Sequence, residues 1–216
     1  MSPVMAAIKR VPDLRQQVFD QLRESINSGN VPHDVRLTEM TVAKRYNVSR
    51  TPAREALALL SQAGLLAQDE RGYRVPGFSR KDIDDVFEVR HLIEPYAVAC
   101  IAREASDTEL KSLARFADAE LKRSGDNAGY VEANKRIRQR LFGLLRNDKL
   151  QQLIGLFEDR QAFIRVRTLH DPAIRRISAE GNRRLIDAVT TRDAHGAEAC
   201  MRYLLTEARK AVISLL

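Results

Sequence analysis

The sequence predicts a mainly α-helical protein, with an N-terminal winged helix-turn-helix followed by an all-α antiparallel helical bundle. Three observations carry this: strand-like patterning is confined to residues 65–75, apolar residues elsewhere recur at helical spacing, and capping signals cut the chain into helix-length pieces. The 216 residues are 44% hydrophobic and 30% charged, enough apolar material for at least one packed core. Ten glycines and seven prolines are too few for a linker-dominated or collagen-like chain. No apolar run approaches the roughly 18 residues of a bilayer span, and residues 1–10 show no secretory pattern, so a cytoplasmic protein without membrane contact is expected. Cys100 and Cys200 form no Cys-x-x-Cys pair and read as reduced core residues.

The first helix follows the capping pattern Asp13-x-x-Gln16 and carries a seam of Leu14, Val18, Leu22 and Ile26, ending at Gly29. A turn-rich stretch over 30–34 leads to a short helix from about Thr38 to Tyr46, with Asn47 in the turn. A third helix has Thr51 as candidate N-cap and Pro52 at its first position, where a missing N–H is harmless. Ala53, Ala56, Leu57 and Leu60 form its buried stripe and turn Arg50, Thr51 and Arg54 outward. Residues 65–68 and 73–75 read as two strands joined across Asp69-Glu70-Arg71-Gly72. Pro76-Gly77 then breaks the chain, which sets domains of 1–78 and 79–216. From the Ser79-x-x-Asp82 cap onward only helices are expected, at about 80–104, 107–123, 127–146, 149–168, 172–190 and 193–215. Their breakers are Ser106-x-x-Glu109, Ser124-Gly125, Asn147-Asp148 and Asp171-Pro172. Six such helices make a bundle whose interior can hold a small ligand.

Lysine and arginine total 36 against 29 acids, a net charge of +7, so a polyanion is a plausible partner. The charge is concentrated where it matters: Lys44, Arg45, Arg50 and Arg54 follow one another with no acid before Glu55. A short helix, a turn and a second helix with basic residues at its N-terminus suit the major groove of double-stranded DNA. Arginine can bind guanine bidentately, the Thr51 hydroxyl and the helix N-terminal amides suit phosphate, and the Gly72 loop can approach a backbone as a wing.

At residues 48–57, Val-Ser-Arg-Thr-Pro-Ala-Arg-Glu-Ala-Leu, the chain resembles the recognition-helix signature of the GntR superfamily of bacterial transcription regulators, FadR-type branch; residues 14–76 resemble its whole winged domain. The resemblance implies DNA contacts at Ser49, Arg50, Thr51, Pro52 and Arg54, and a wing contact at Gly72. A further basic contact of some members falls here on Met40, which cannot bind phosphate; Arg36 is the candidate substitute. Residues 79–216 resemble the FCD effector domain of that branch through Val89-Arg90-His91-Leu92-Ile93-Glu94-Pro95, the stretch around Asn147, and residues 193–204.

That domain in many members binds a divalent metal and a small organic acid. Its metal pattern needs an Asp and a His at i and i+4, then one His from each of two later helices. Aligned on Leu141 and Asn147, and on Ala188 and Asp193, those positions fall on Asn134, Arg138, Asn182 and Tyr203. A guanidinium there would repel a cation, so no metal or other cofactor is expected. Arg138, with Arg90 as second candidate, would instead meet a carboxylic-acid effector directly, while Asn134, Asn182 and Tyr203 offer neutral hydrogen bonds. The resemblance thus implies a regulator, expected to be a repressor, that binds a pseudo-palindromic operator as a homodimer.

Two other classes compete with it. A metal-dependent helical-bundle enzyme is suggested by Glu88-x-x-His91, half of a di-iron motif, but no second Glu-x-x-His occurs, nor any phosphate loop or nucleophile motif. An effector-independent DNA-coating protein is the other, and the near-balanced charge of 79–216 argues against it: most of that length is not there for DNA.

Overall fold

The computed structural model describes residues 13–32, 35–77, 79–123 and 127–216; the Ser124-Gly125 breaker, His33 and Asp34 of the first turn, and residues 1–12 lie outside these. Internal contacts divide the chain after Gly77.

In the first unit, α1 (Leu14–Asn27) is capped by Asp13, whose carboxylate accepts the Arg15 amide, while Gln16 turns to Asp20 instead of closing a box. Val18, Leu22 and Ile26 are buried and Leu14 is half exposed, so the seam starts one turn later than its spacing suggests. Gly29 ends the helix at φ +76°. Thr38 and Thr41 box the start of α2 (Glu39–Tyr46), and Asn47 closes it in the left-handed conformation at φ 51°. Next comes α3 (Arg50–Gln62), with Ser49 at the N-cap in place of the expected Thr51. Thr51 and Pro52 therefore lie inside the first turn, where the missing proline N–H still costs no hydrogen bond because the first four amides have no intrahelical acceptor. The stripe Ala53, Ala56, Leu57 and Leu60 is fully buried against α1 and α2.

Strands β1 (Ala67–Asp69) and β2 (Gly72–Arg74) pair antiparallel, Ala67 opposite Arg74 and Asp69 opposite Gly72. Leu65 and Leu66, expected in the first strand, instead bury as the connector from α3. Leu37 forms an isolated antiparallel bridge to the other edge of β2, exchanging two 2.8 Å backbone hydrogen bonds with Tyr73. A single extended residue has no periodicity, which is why patterning missed it.

The second unit holds, among the described residues, seven helices: α4 (Arg80–Glu104), α5 (Asp107–Arg123), α6 (Asn127–Phe142), α7 (Asp148–Gly155), α8 (Glu158–Thr168), α9 (Pro172–Thr190) and α10 (Ala194–Ile213). Six were expected. The piece at 149–168 is two helices because Gly155 offers neither propensity nor a packing side chain, and α8 restarts with Glu158 and Asp159 favouring its N-terminal dipole. Likewise α6 stops at Phe142: the amides of Leu144 and Leu145 bond three residues back, and Asn147 caps α7 by accepting the amides of Lys149 and Leu150. α10 lies along α4 and α9, and α5 along α6 and α9, around a core that includes Phe87, Ile101, Leu113, Ile137, Leu141 and Leu185. Inside α4, Pro95 lacks the N–H that the His91 carbonyl would accept, and Arg202 of α10 donates to that oxygen instead at 3.2 Å. None of the helices is long and apolar enough to cross a membrane.

Candidate functional site

The N-terminal end of α3 presents Ser49, Arg50, Thr51 and Arg54 to solvent, with Pro52 partly covered. The sequence folds this way because alanines at 53 and 56 let the helix sit close on α1 and α2, which leaves its first turn projecting. First-turn amides and two guanidiniums at one end are the chemistry that can meet an anion, and the guanidiniums can supply bidentate donors to base edges. Lys44 and Arg45 are exposed at the end of α2, where their charge suits that helix's C-terminal dipole.

Arg36 is a surface cation whose guanidinium also pairs with Asp69 at the end of β1, and that hydrogen bond holds the Asp69 carboxyl below its usual range. Arg36 therefore ties the segment before α2 to the wing. Gly72, expected to approach DNA, has an internal reason to be glycine: φ is +119° and an added Cβ would lie 2.7 Å from the Leu37 carbonyl oxygen. Arg71 and Arg74 are the exposed cations of the hairpin.

In the second unit a cavity of about 80 Å³ lies among α4, α6, α8, α9 and α10. Four of the five expected effector residues line it: Arg90, Asn134, Arg138 and Asn182. Tyr203 does not. The inward stripe of α10 runs through Ala197, Met201 and Leu205, and Tyr203, two residues from Met201, sits on the outer face at 48% exposure.

Nor is Arg138 free to meet a ligand alone. Its Nη2 donates to Glu94 Oε2 at 3.1 Å, while Arg90 Nε donates to Glu94 Oε1 at 2.7 Å. Both guanidiniums also stack on aromatic rings of their own helices, Arg90 on Phe87 and Arg138 on Phe142. Burial would raise the Glu94 carboxyl, but Arg138 and Arg90 overcome it and hold the pKa at about 2. From α8, Gln161 donates to Glu94 at 3.4 Å and Arg165 pairs with Glu158 at 2.5 Å. Glu94, Gln161 and Arg165 were not foreseen; the i, i+4 spacing of Arg90 and Glu94 was the one local signal. Between α6 and α9, Tyr130 donates to Ser178 at 2.9 Å, and Asn134 and Asn182 reach Ser178 at 3.4 Å.

These residues do not fit a divalent metal. Two amides engaged with a serine, a guanidinium among guanidiniums and an outward tyrosine supply no set of converging anionic or imidazole donors. His91 spends its ring nitrogens on the Phe87 carbonyl and Thr206.

Residues 14–75 match the model of bacterial regulatory proteins of the gntR family, and residues 85–207 match the FCD domain. The chain is 29% identical over 154 residues to the uncharacterized HTH-type transcriptional regulator YdhC of Bacillus subtilis, covering 69% of each protein. It is 30% identical over 100 residues to the gluconate operon transcriptional repressor of the same organism, covering 46% of this chain and 41% of that one. The solved structure of E. coli McbR/YncC shares the fold, with a TM-score of 0.79 at 21% identity over 95% of this chain and 99% of that one.

Proposed function

Because the chain belongs to the gntR family of bacterial transcriptional regulators, with an FCD domain behind its DNA-binding domain, we propose that it is a repressor that binds a pseudo-palindromic operator as a homodimer and responds to a small carboxylic acid. Residues 1–78 serve DNA and 79–216 serve effector binding and dimerisation. The observation that carries the DNA reading is the exposed Arg50, Thr51 and Arg54 at the head of α3, opposite a fully buried stripe. Ser49 and Pro52 complete that contact edge, and the wing at Gly72 lies against the backbone. Repression is supported by the name of the gluconate operon relative.

Effector control follows from linkage. A ligand shifts DNA affinity only if it prefers one arrangement of the helical domain, since equal affinity for two states shifts nothing. α4 is suited to carry the shift: it lines the cavity through Arg90 and begins three residues after the unit boundary at Gly77.

The test is fluorescence anisotropy on a duplex selected by the protein itself. Arg50→Ala and Arg54→Ala should each weaken specific binding by about 1–3 kcal/mol and leave thermal unfolding unchanged. Wild-type affinity in both variants would overturn the assignment.

A further inference from the structure

We propose that the cavity of the helical unit is a monoanion site, taking a small monocarboxylate with an apolar body whose single charge completes a cluster of three arginines and two glutamates. This rests on reading the cavity as the effector site and narrows the class of effector.

The charge count is structural. Arg90 of α4, Arg138 of α6 and Arg165 of α8 bring three guanidiniums into the cavity lining within electrostatic reach of one another. Glu94 is shared between the first two, and Glu158 is paired with the third. Glu207, which also lines the cavity, is matched by Lys210 at 2.8 Å. Among the described side chains, one positive charge is left over. Arginine does not shed its proton to relieve this, and an uncompensated charge in a buried place is costly.

Hydrogen bonding points the same way. Among the described residues Arg138 Nε and Arg165 Nε are buried donors with no partner, against one spare acceptor in the lining, Gln161 Oε1, so donors remain in excess after both glutamates are served. Arg165 is 7% exposed. Two spare donors and one spare charge are what a single carboxylate requires. The rest of the lining is mostly apolar, including Ile164, Leu169, Ile174, Ile177 and Leu204. A second carboxylate would add an unmatched negative charge. A neutral ligand would leave the positive charge uncompensated.

The experiment is thermal unfolding of the full chain at fixed ionic strength with isovalerate, its neutral isostere isovaleramide, the dianion glutarate, and chloride. Isovalerate should raise Tm saturably by several degrees, glutarate less, isovaleramide and chloride not at all. Glu158→Gln removes one carboxylate and raises the surplus to two, so the ranking should invert in favour of glutarate. Arg165→Met removes the surplus, and stabilisation by isovalerate should vanish; if that variant does not fold, Glu158→Gln decides. Glutarate outranking isovalerate on the wild type, or an unchanged ranking in Glu158→Gln, would overturn the monoanion assignment and leave an acid effector standing. Chloride matching isovalerate would overturn the organic body of the ligand. Isovaleramide matching isovalerate, or no stabilisation by any of the four, would overturn the acid-effector reading as well.

Discussion

Glu94, 1% exposed, is the only carboxylate between Arg90 and Arg138 among the described side chains, and its removal would leave two buried guanidiniums facing each other. Breaking such a buried pair costs about 3–5 kcal/mol, much of it from the charge left behind. Glu94→Gln should therefore destabilise the protein by that order in urea titrations at neutral pH. The pH dependence has a definite sign. Burial raises the carboxyl and the two arginines lower it further than burial raises it, to about 2 against a reference of 4.5. A depressed folded pKa gives stability that is complete above 4.5 and lost as pH falls toward 2. The gap between wild type and Glu94→Gln should thus be widest above that window and shrink through it; a gap independent of pH would contradict the ion-pair account. The cluster was half legible beforehand. Arg90, Arg138, Asn134 and Asn182 stand out in the sequence, but their partners do not, because Glu94 and Arg138 meet across 44 positions of sequence. Nothing local in α8 says that Arg165 turns inward while Arg167 stays exposed. Tyr203 failed for a related reason: a spacing carried over from relatives does not fix which face of α10 packs.

The wing depends on one backbone contact more than on its two short strands. β1 and β2 have three residues each, and a hairpin of that length is marginal without further packing. Leu37 supplies it by pairing with Tyr73, and Arg36 adds its ion pair to Asp69. Gly72 permits the close approach. Gly72→Ala would combine a disfavoured φ with a Cβ against the Leu37 carbonyl, a cost of roughly 1–3 kcal/mol. Chemical denaturation should show that loss, and hydrogen exchange should show the Tyr73 and Leu37 amides losing protection; retained protection would mean the wing stands without this contact. Elements were legible where a cap marks them, as at Ser79 and Asp171-Pro172, each of which caps the helix it announces. Asn147-Asp148 marks the start of α7 in the same way, but the early end of α6 at 143–146 and the break at 155–157 were not legible. There the apolar spacing runs on while the helix stops, since a glycine break depends on what tertiary packing does with the next turn.

A single recognition helix reads too few base pairs to find an address in a genome, which is the ground for proposing two copies related by a two-fold axis. The surface of α4 offers a place for them to meet. Its inner face is spent on α10 and the cavity, yet Val89, Leu92 and Tyr96 stand exposed on the other side at intervals of three and four residues. Leu92 is 71% exposed. Scattered apolar residues on a surface need no explanation, but three on one helical face form a stripe that a second copy of the same helix can cover isologously. Leu92→Glu would place like charges opposite each other at such an axis. The variant should sediment as a monomer at concentrations where the wild type is a dimer, and its operator affinity should fall while its non-specific, salt-dependent DNA binding persists through Arg50 and Arg54. Because Leu92 is exposed in the protomer, its unfolding midpoint at high dilution should match that of the wild type. A wild type that is monomeric both free and on operator would remove the two-fold reading; a Leu92→Glu variant that remains dimeric would move the axis off α4.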